Sequence, residues 1–133
     1  MRGAGRRRQV DRGYVSSRAD GARRFFEVAE LTADENGFEQ ATAALYVLAG
    51  IAAADAICGH RLGEISRGQD HRQAIGLLKE VRNADPAANA LGRLLDLKDA
   101  AHYGVDSLSA DRITRARRDA TLLLEQLATV LAN

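Results

Sequence analysis

The chain has 133 residues, a length typical of one domain, and such a domain buries about two thirds of the surface that its unfolded chain exposes. Its only cysteine is Cys58, which excludes an intramolecular disulfide and a zinc site built from cysteines and favours a reducing, cytoplasmic environment. The formal net charge is +1, but the first 24 residues hold eight arginines and two aspartates, whereas the remainder is mildly acidic.

The N-terminal segment "MRGAGRRRQVDRGY" combines arginine and glycine with few apolar side chains. Such a composition buries too little surface to offset its ordering entropy. It predicts a disordered basic arm over residues 1–16, followed by a helical domain over residues 17–133. The arm is open to two interpretations, an electrostatic tether for nucleic acid or a solvated tail ahead of a later translation start. It lacks the apolar segment of a secretory signal, so no export is expected.

Two helices are predicted after this arm. Ser17 followed by Asp20 resembles a helix-start cap, and apolar residues then recur at helical spacing over 17–33. The segment "ADENGF" interrupts the pattern before a second helix over 39–58. Asp55 breaks the apolar run of this helix before it reaches the ~18 to 20 residues that cross a bilayer. The second helix is therefore predicted to be the buried centre of the fold, with no membrane span.

The third and fourth helices are predicted from residue pairs at their starts. Asp70 with Gln73 forms an Asp-x-x-Gln start for a helix that continues to about residue 82. Asp85 and Pro86 are a cap and a first-turn proline, which together are a strong start signal. Gly104 is expected to end the fourth helix.

A fifth helix is predicted to begin after Ser109 and to continue to the C-terminus along one apolar stripe. No segment alternates with period two, and no repeat of 20 to 50 residues is found. The sequence therefore predicts an all-α fold, an antiparallel bundle of about five helices.

Familiar catalytic and metal-binding motifs do not occur in the sequence. It has no glycine-rich phosphate loop between a strand and a helix, no His-Glu-x-x-His and no serine elbow. His60, His71 and His102 lie in different segments, and no pair has the i, i+4 spacing of a helical metal site. Neither a metal nor a cofactor is expected.

Three segments resemble the HEPN family (higher eukaryotes and prokaryotes nucleotide-binding). They are "ALYVLAGIAAADAICGHRLGEISRGQDHRQAIGLLKEV" (44–81), "LLDLKDAAHYG" (94–104) and "SADRITRARRDATLLLEQL" (109–127). The likeness extends over about residues 17–133. It implies a four- or five-helix bundle that pairs as a two-fold homodimer in toxin–antitoxin, defence or RNA-processing systems, often beside a nucleotidyltransferase partner protein. It also implies binding of nucleotide or nucleic acid.

Many HEPN proteins are metal-independent ribonucleases with an arginine, usually followed by a polar residue, and a histidine after four to six more residues. The resemblance implies that the cation holds the scissile phosphate and that the histidine transfers a proton as the ribose 2′-hydroxyl attacks. The nearest match here is Lys98, Asp99 and His102, in which lysine replaces arginine and only three residues separate it from the histidine. Arg93 is no substitute, because eight residues lie between it and His102. Lysine lacks the planar fork of arginine, so this degenerate motif favours binding over catalysis.

Other residues are candidates for the same site or for the core. Arg112, Arg115 and Arg118 are spaced three apart on the fifth helix, and this basic stripe is either a solvated face or a track for a phosphate backbone. Lys98 and His102 share a helical face, where they either bind an anion or only complement the helix dipole.

The remaining polar and aromatic candidates are interpreted mainly as structural residues. Asp55 is expected to pair with Arg61 or Arg72, and Cys58 and Tyr46 are expected in the core. Tyr103 is interpreted as a packing residue, with base stacking as the alternative.

Two functions therefore remain open. The first is a non-catalytic, cytoplasmic HEPN-like dimer that binds nucleotide, nucleic acid or a partner protein, with Lys98, His102 and the arginine stripe as the binding residues. The alternative is a metal-independent HEPN ribonuclease that uses the Lys-x3-His motif, with His102, Lys98 and Asp99 as its catalytic residues.

Overall fold

The computed structural model describes residues 6–68, 71–103 and 109–133, and leaves out the side chains of residues 100–103. Over these residues the chain is mainly helical, with one short two-stranded ribbon, so the predicted all-α bundle is confirmed. The helices are α1 (Arg12–Thr32), α2 (Glu39–Leu62), α3 (Arg72–Lys79), α4 (Asp85–Tyr103) and α5 (Ala110–Ala132). The strands are β1 (Arg7–Gln9) and β2 (Glu64–Ser66).

Helix α2 is the centre of the bundle, as its small apolar residues predict. It packs against α1, α4 and α5, and residues from both of its faces are buried. By length and composition α2 could cross a membrane, but most of its apolar segment is buried inside the protein. The other helices therefore cover it as a core helix.

Gly50 allows α4 and α5 to approach α2 closely. A Cβ atom built at this position would overlap the Leu94 side chain of α4 and lie 3.2 Å from Cδ1 of Leu123 in α5. Both leucines are fully buried. This contact holds α4 and α5 side by side on α2, and it places the outer faces of α4 and α5 next to each other.

The predicted disordered arm is wrong for residues 6–16. Helix α1 begins at Arg12, five residues before the predicted cap, because Asp11 is its N-cap and accepts a hydrogen bond from the Tyr14 backbone N–H at 2.9 Å. Val15 and Ala19 are buried against the rest of the bundle, so packing supports the extra turn. Residues 1–5 of the predicted arm lie outside the described residues.

The segment before α1 is held by a ribbon that the sequence does not predict. Strand β1 pairs antiparallel with β2, with Arg8 opposite Ile65. Arg7 forms ion pairs with Glu64, at 3.3 Å, and with Glu80. The acidic partners neutralise part of the charge that suggested a free basic arm.

The boundaries of the later helices agree with their local signals to different degrees. Helix α2 continues four residues beyond the prediction and ends at Gly63, whose positive φ of 72° forms a left-handed cap. Helix α3 is shorter than predicted, since it covers only Arg72–Lys79. The predicted starts of α4 at Asp85 and of α5 after Ser109 are confirmed, and the Ser109 hydroxyl caps α5 by accepting from the Arg112 N–H at 3.1 Å.

Candidate functional site

Helices α4 and α5 form a cleft of about 420 Å³ on the surface of the bundle. We call it the arginine cleft because four arginines line it, one from α4 and three from α5. The apolar part of its wall belongs to side chains that also contact the core. The lining residues are Arg93, Leu94, Asp96, Leu97, Arg112, Arg115, Ala116, Arg118 and Asp119.

The periodicity of α5 explains why its three arginines reach the same cleft. Ile113 and Ala116 are buried towards the core, whereas Arg112, Arg115 and Arg118 are exposed beside them. Residues three apart rise roughly 4.5 Å along a helix axis, so the stripe is about 9 Å long. Their side chains therefore form one row of positive charge, as the spacing predicts.

Arg93 lies across the cleft from this row and is held by a buried acid of α5. Its Nε and Nη2 donate to Oδ1 of Asp119 at 3.0 and 2.8 Å. The Asp119 side chain is 9% exposed, but that of Arg93 is 57% exposed. The hydrogen bonds to Asp119 raise the pKa of Arg93 further. The pair therefore fixes Arg93 while leaving more than half of its side-chain surface exposed.

Two of the four arginines are not neutralised within the described part of the chain. Arg115 forms an exposed ion pair with Asp111 at 2.6 Å, on its own helix, and such pairs are weak in water. The side chains of Arg112 and Arg118 form no ion pair or hydrogen bond with any described residue. Because of these two guanidiniums the arginine cleft carries an excess of positive charge.

Lys98 does not join the arginines. It lines a second cleft, between α2 and α4, together with His71. Lys98 and Arg93 are five residues apart, which separates them by about 140° around a helix. The structure therefore brings Arg112, Arg115 and Arg118 together, adds Arg93, and places Lys98 on another side of α4.

The other two residues of the predicted motif are Asp99, which forms an ion pair, and His102, whose side chain is not described. Asp99 accepts from Nη2 of Arg72 at 3.0 Å, and Asp96 accepts from the same atom at 2.6 Å. His102 and Tyr103 belong to α4, but their side chains lie outside the described residues. Asp99 therefore links α3 to α4.

Asp55 is paired as expected, but with a different arginine. Its Oδ2 accepts from Nη2 and Nε of Arg18 in α1, at 2.9 and 3.3 Å. The predicted choice between Arg61 and Arg72 misses this partner. Burial raises the pKa of Asp55, although the bond from Arg18 opposes the shift. This pair connects α1 and α2 inside the bundle.

Cys58 and Tyr46 are buried, as predicted. Burial raises the pKa of the Cys58 thiol to about 12, so the thiol is protonated and a poor nucleophile at neutral pH. The Tyr46 hydroxyl donates to Glu30, which also accepts from Nη2 of Arg117 at 2.8 Å. These residues stabilise the packing of α1, α2 and α5.

No group of three or more His, Cys, Asp or Glu side chains suited to a metal ion occurs among the residues that the structure describes. The cations of the arginine cleft are guanidinium groups, which bind phosphates and carboxylates through paired N–H donors.

Sequence reasoning misses the ion pair of the cleft. Arg93 is rejected there because its spacing from His102 does not fit the HEPN motif, and Asp119 is not considered. A signal was present, because Asp119 lies on the apolar stripe of α5 and follows the arginines in "RARRDA". A buried acid on such a stripe requires a cation from a neighbouring helix.

Comparison of the chain with models of known protein families and with curated proteins finds no match.

Proposed function

We propose that this chain binds single-stranded RNA in the arginine cleft, through contacts with phosphate groups and without cleaving the strand. The observation that carries the proposal is that Arg93, Arg112, Arg115 and Arg118 line one cleft, and that two of them have no acidic partner among the described residues. Guanidinium groups bind phosphate oxygens through paired N–H donors.

The length of the basic row supports a strand as the ligand. Arg112 to Arg118 extend over about 9 Å of α5, a distance over which a nucleic-acid strand presents two or three phosphates. Arg93 faces the same cleft from α4 and is fixed by Asp119. A backbone that follows the cleft would therefore contact arginines from both helices.

The lining of the cleft supports weak base preference. Among the described residues that line it, the apolar ones are leucine and alanine, and none has an aromatic ring on which a base would stack. Contacts to phosphate position a strand but carry no sequence information. We therefore expect similar affinity for RNAs of different sequence.

Membership of the HEPN family, the two-fold homodimer, a cytoplasmic location and a nucleotidyltransferase partner in a toxin–antitoxin or defence setting belong to the same proposal. Their support is the sequence resemblance. The degenerate motif supports the non-catalytic form, because lysine replaces arginine at position 98. The separation of Lys98 from the arginine cleft gives the same indication, since a phosphate held in that cleft would not lie against Lys98.

Fluorescence anisotropy with a labelled RNA of about 12 nucleotides tests the binding. The salt dependence should be measured between about 50 and 200 mM KCl, because single-strand binding weakens with a log–log slope of about −0.7 for each phosphate neutralised. We expect the variant R112Q/R118Q to bind more weakly and to reduce the magnitude of this slope by about 1.4.

A matched control removes the same two charges elsewhere. Arg61 and Arg82 are exposed, line no part of the arginine cleft and form no ion pair with described residues. The variant R61Q/R82Q should therefore retain most of the affinity and the slope. Equal losses in the two variants would contradict a specific cleft and indicate only a diffuse charge effect.

The ribonuclease alternative is tested with the same RNA, incubated with excess protein in the presence of a chelator and separated on a denaturing gel. We expect the strand to remain intact. Cleavage that disappears in H102A would contradict the non-catalytic form and favour the ribonuclease. Cleavage that persists in H102A would indicate a contaminating nuclease, to be removed before the comparison is repeated.

A further inference from the structure

The cleft between α2 and α4 differs in chemistry from the arginine cleft. It has a volume of about 350 Å³, and we call it the apolar groove. Most of its wall is aliphatic, with Ala44, Val47, Leu48 and Ile51 from α2 and Leu97 from α4. Leu48 is 43% exposed, so apolar surface remains open to solvent along the groove.

The polar residues of the groove are cationic or neutral. Lys98 and His71 line it with Gln40, and no acidic residue lines it among those that the structure describes. Lys98 is exposed, and its side chain forms no ion pair with any described residue. The nearby acids Asp96 and Asp99 are instead bound to Arg72. An aliphatic wall with a single strong cation is complementary to a ligand with an apolar body and one negative group.

We propose that the apolar groove binds an amphipathic monocarboxylate, such as a medium-chain fatty acid, with its chain along α2 and its carboxylate on Lys98. Ligand sites of this kind have volumes of about 300 to 1,000 Å³ and combine apolar walls with a few polar groups. At a packing density of about 0.74, this groove accommodates a chain of roughly ten carbon atoms.

The charge distinguishes this ligand from nucleic acid. One lysine gives a single point charge, which suits one carboxylate, whereas a strand of phosphates requires the row of cations in the arginine cleft. The apolar wall contributes binding energy by removing the hydrocarbon chain from water. The inference does not depend on the proposed RNA binding, because the two clefts share only Leu97.

Decanoate, below its micelle-forming concentration, and the uncharged decanol are the probes, and isothermal titration calorimetry measures their binding to the full chain. We expect saturable binding of decanoate. Replacing Lys98 by Ala should weaken decanoate binding about tenfold, since a charge-assisted contact is lost, and should change decanol binding by less than about twofold. The other lysine of the chain, Lys79, lies outside the groove, and K79A should leave both affinities unchanged.

A second pair of variants tests the groove itself. Ala44 is exposed and lines the groove, so A44F should fill it and abolish binding of both probes. Ala41 is exposed on the same helix but does not line the groove, so A41F is the matched control and should retain binding. Circular dichroism should show the same helical content in both variants.

Four outcomes would overturn the inference. Decanoate that fails to saturate, or that binds A44F as tightly as the original chain, would show that the groove is not the site. An equal effect of K98A on the affinities for decanoate and decanol would show that the charge of Lys98 does not bind the carboxylate. Sedimentation showing a dimer that A44F dissociates would show that a second copy of the chain covers the groove. RNA binding by R112Q/R118Q is measured separately, so failure of either proposal is recognised independently.

Discussion

Two arginine–aspartate pairs join helices in this bundle, and they differ in the solvent exposure of their side chains. The Arg18 and Asp55 side chains, between α1 and α2, are 32% and 16% exposed, whereas Arg93 and Asp119, between α4 and α5, are 57% and 9% exposed. Both acids need a cation, but Arg93 has more than half of its side-chain surface exposed and lines a cleft, whereas most of the Arg18 side chain is covered. The same pair of residue types therefore serves packing in one place and leaves a binding group at the surface in the other.

The largest expected effect comes from breaking the inner pair. Burial already raises the pKa of Asp55, and the ion pair with Arg18 opposes this shift. The variant R18A removes the ion pair while Asp55 stays buried. We expect the free energy of unfolding to fall by about 3 kcal/mol, as for other buried pairs that lose one partner. Urea denaturation followed by circular dichroism measures this.

Arg24 provides the control for that measurement, because its ion pair with Glu27 lies on the surface of α1 and its side chain is 75% exposed. The variant R24A should change the free energy of unfolding by less than about 0.5 kcal/mol. A similar small change in R18A would mean that the inner pair contributes no more than a surface pair.

Breaking the Arg93–Asp119 pair should reduce stability less than breaking the Arg18–Asp55 pair, and it should also weaken RNA binding. In R93A, water from the arginine cleft reaches Asp119 once the guanidinium is gone, so we expect a loss of about 1 kcal/mol. RNA affinity should fall as well, because Arg93 is one of the four cations of the cleft. Urea denaturation and anisotropy measure the two effects. A stability loss as large as that of R18A would remove the distinction between the two pairs.

The raised pKa of Asp55 predicts a smaller effect, a change of the free energy of unfolding with pH whose sign can be derived. The folded protein holds a proton on Asp55 at a pH where the unfolded chain, with its ordinary value of 3.8, has already lost it. Folding therefore takes up a proton, and this group makes the free energy of unfolding decrease as pH rises from 3.8 through the raised value. Urea denaturation of the original chain and of D55N between about pH 4 and pH 7 checks this.

The free energy of unfolding of the original chain, relative to that of D55N, should be highest at the acidic end of that range. The reverse trend would mean that Arg18 outweighs burial and lowers the pKa of Asp55.

The smallest effect on stability is expected from the arginines without described partners. Arg112 and Arg118 are exposed on α5, so R112Q/R118Q should change the free energy of unfolding by less than about 0.5 kcal/mol while weakening RNA binding. Thermal unfolding and anisotropy on the same samples separate the two. A loss above about 1 kcal/mol would show that these arginines are part of the packing.

Local signals explain which parts of the fold could be predicted. Pro86 and Ser109 act on their own helix ends, so the starts of α4 and α5 follow directly from the sequence. Ser17 and Asp11 are both competent caps, and the choice between them depends on the burial of Val15 and Ala19, which one helix alone does not determine.

Long-range pairs explain what could not be predicted. The periodicity of α5 indicates that its three arginines share one side, but not which neighbour faces them. Arg93 and Asp119 are 26 residues apart, and Arg18 and Asp55 are 37 apart, so each pairing depends on how the helices pack. The β1–β2 ribbon is missed for the same reason, because neither strand alternates in polarity over enough residues to be recognised.

That ribbon also has a consequence for the order of folding. Arg7 and Glu64 are 57 residues apart, and closing a flexible loop of that length costs roughly 3.6 kcal/mol of chain entropy beyond the length-independent constant. Once α1 and α2 have packed as an antiparallel hairpin, the two strands are already neighbours and most of this cost has been met. We therefore expect β1 and β2 to join late in folding, and amide hydrogens of the ribbon to exchange with solvent before those of α2.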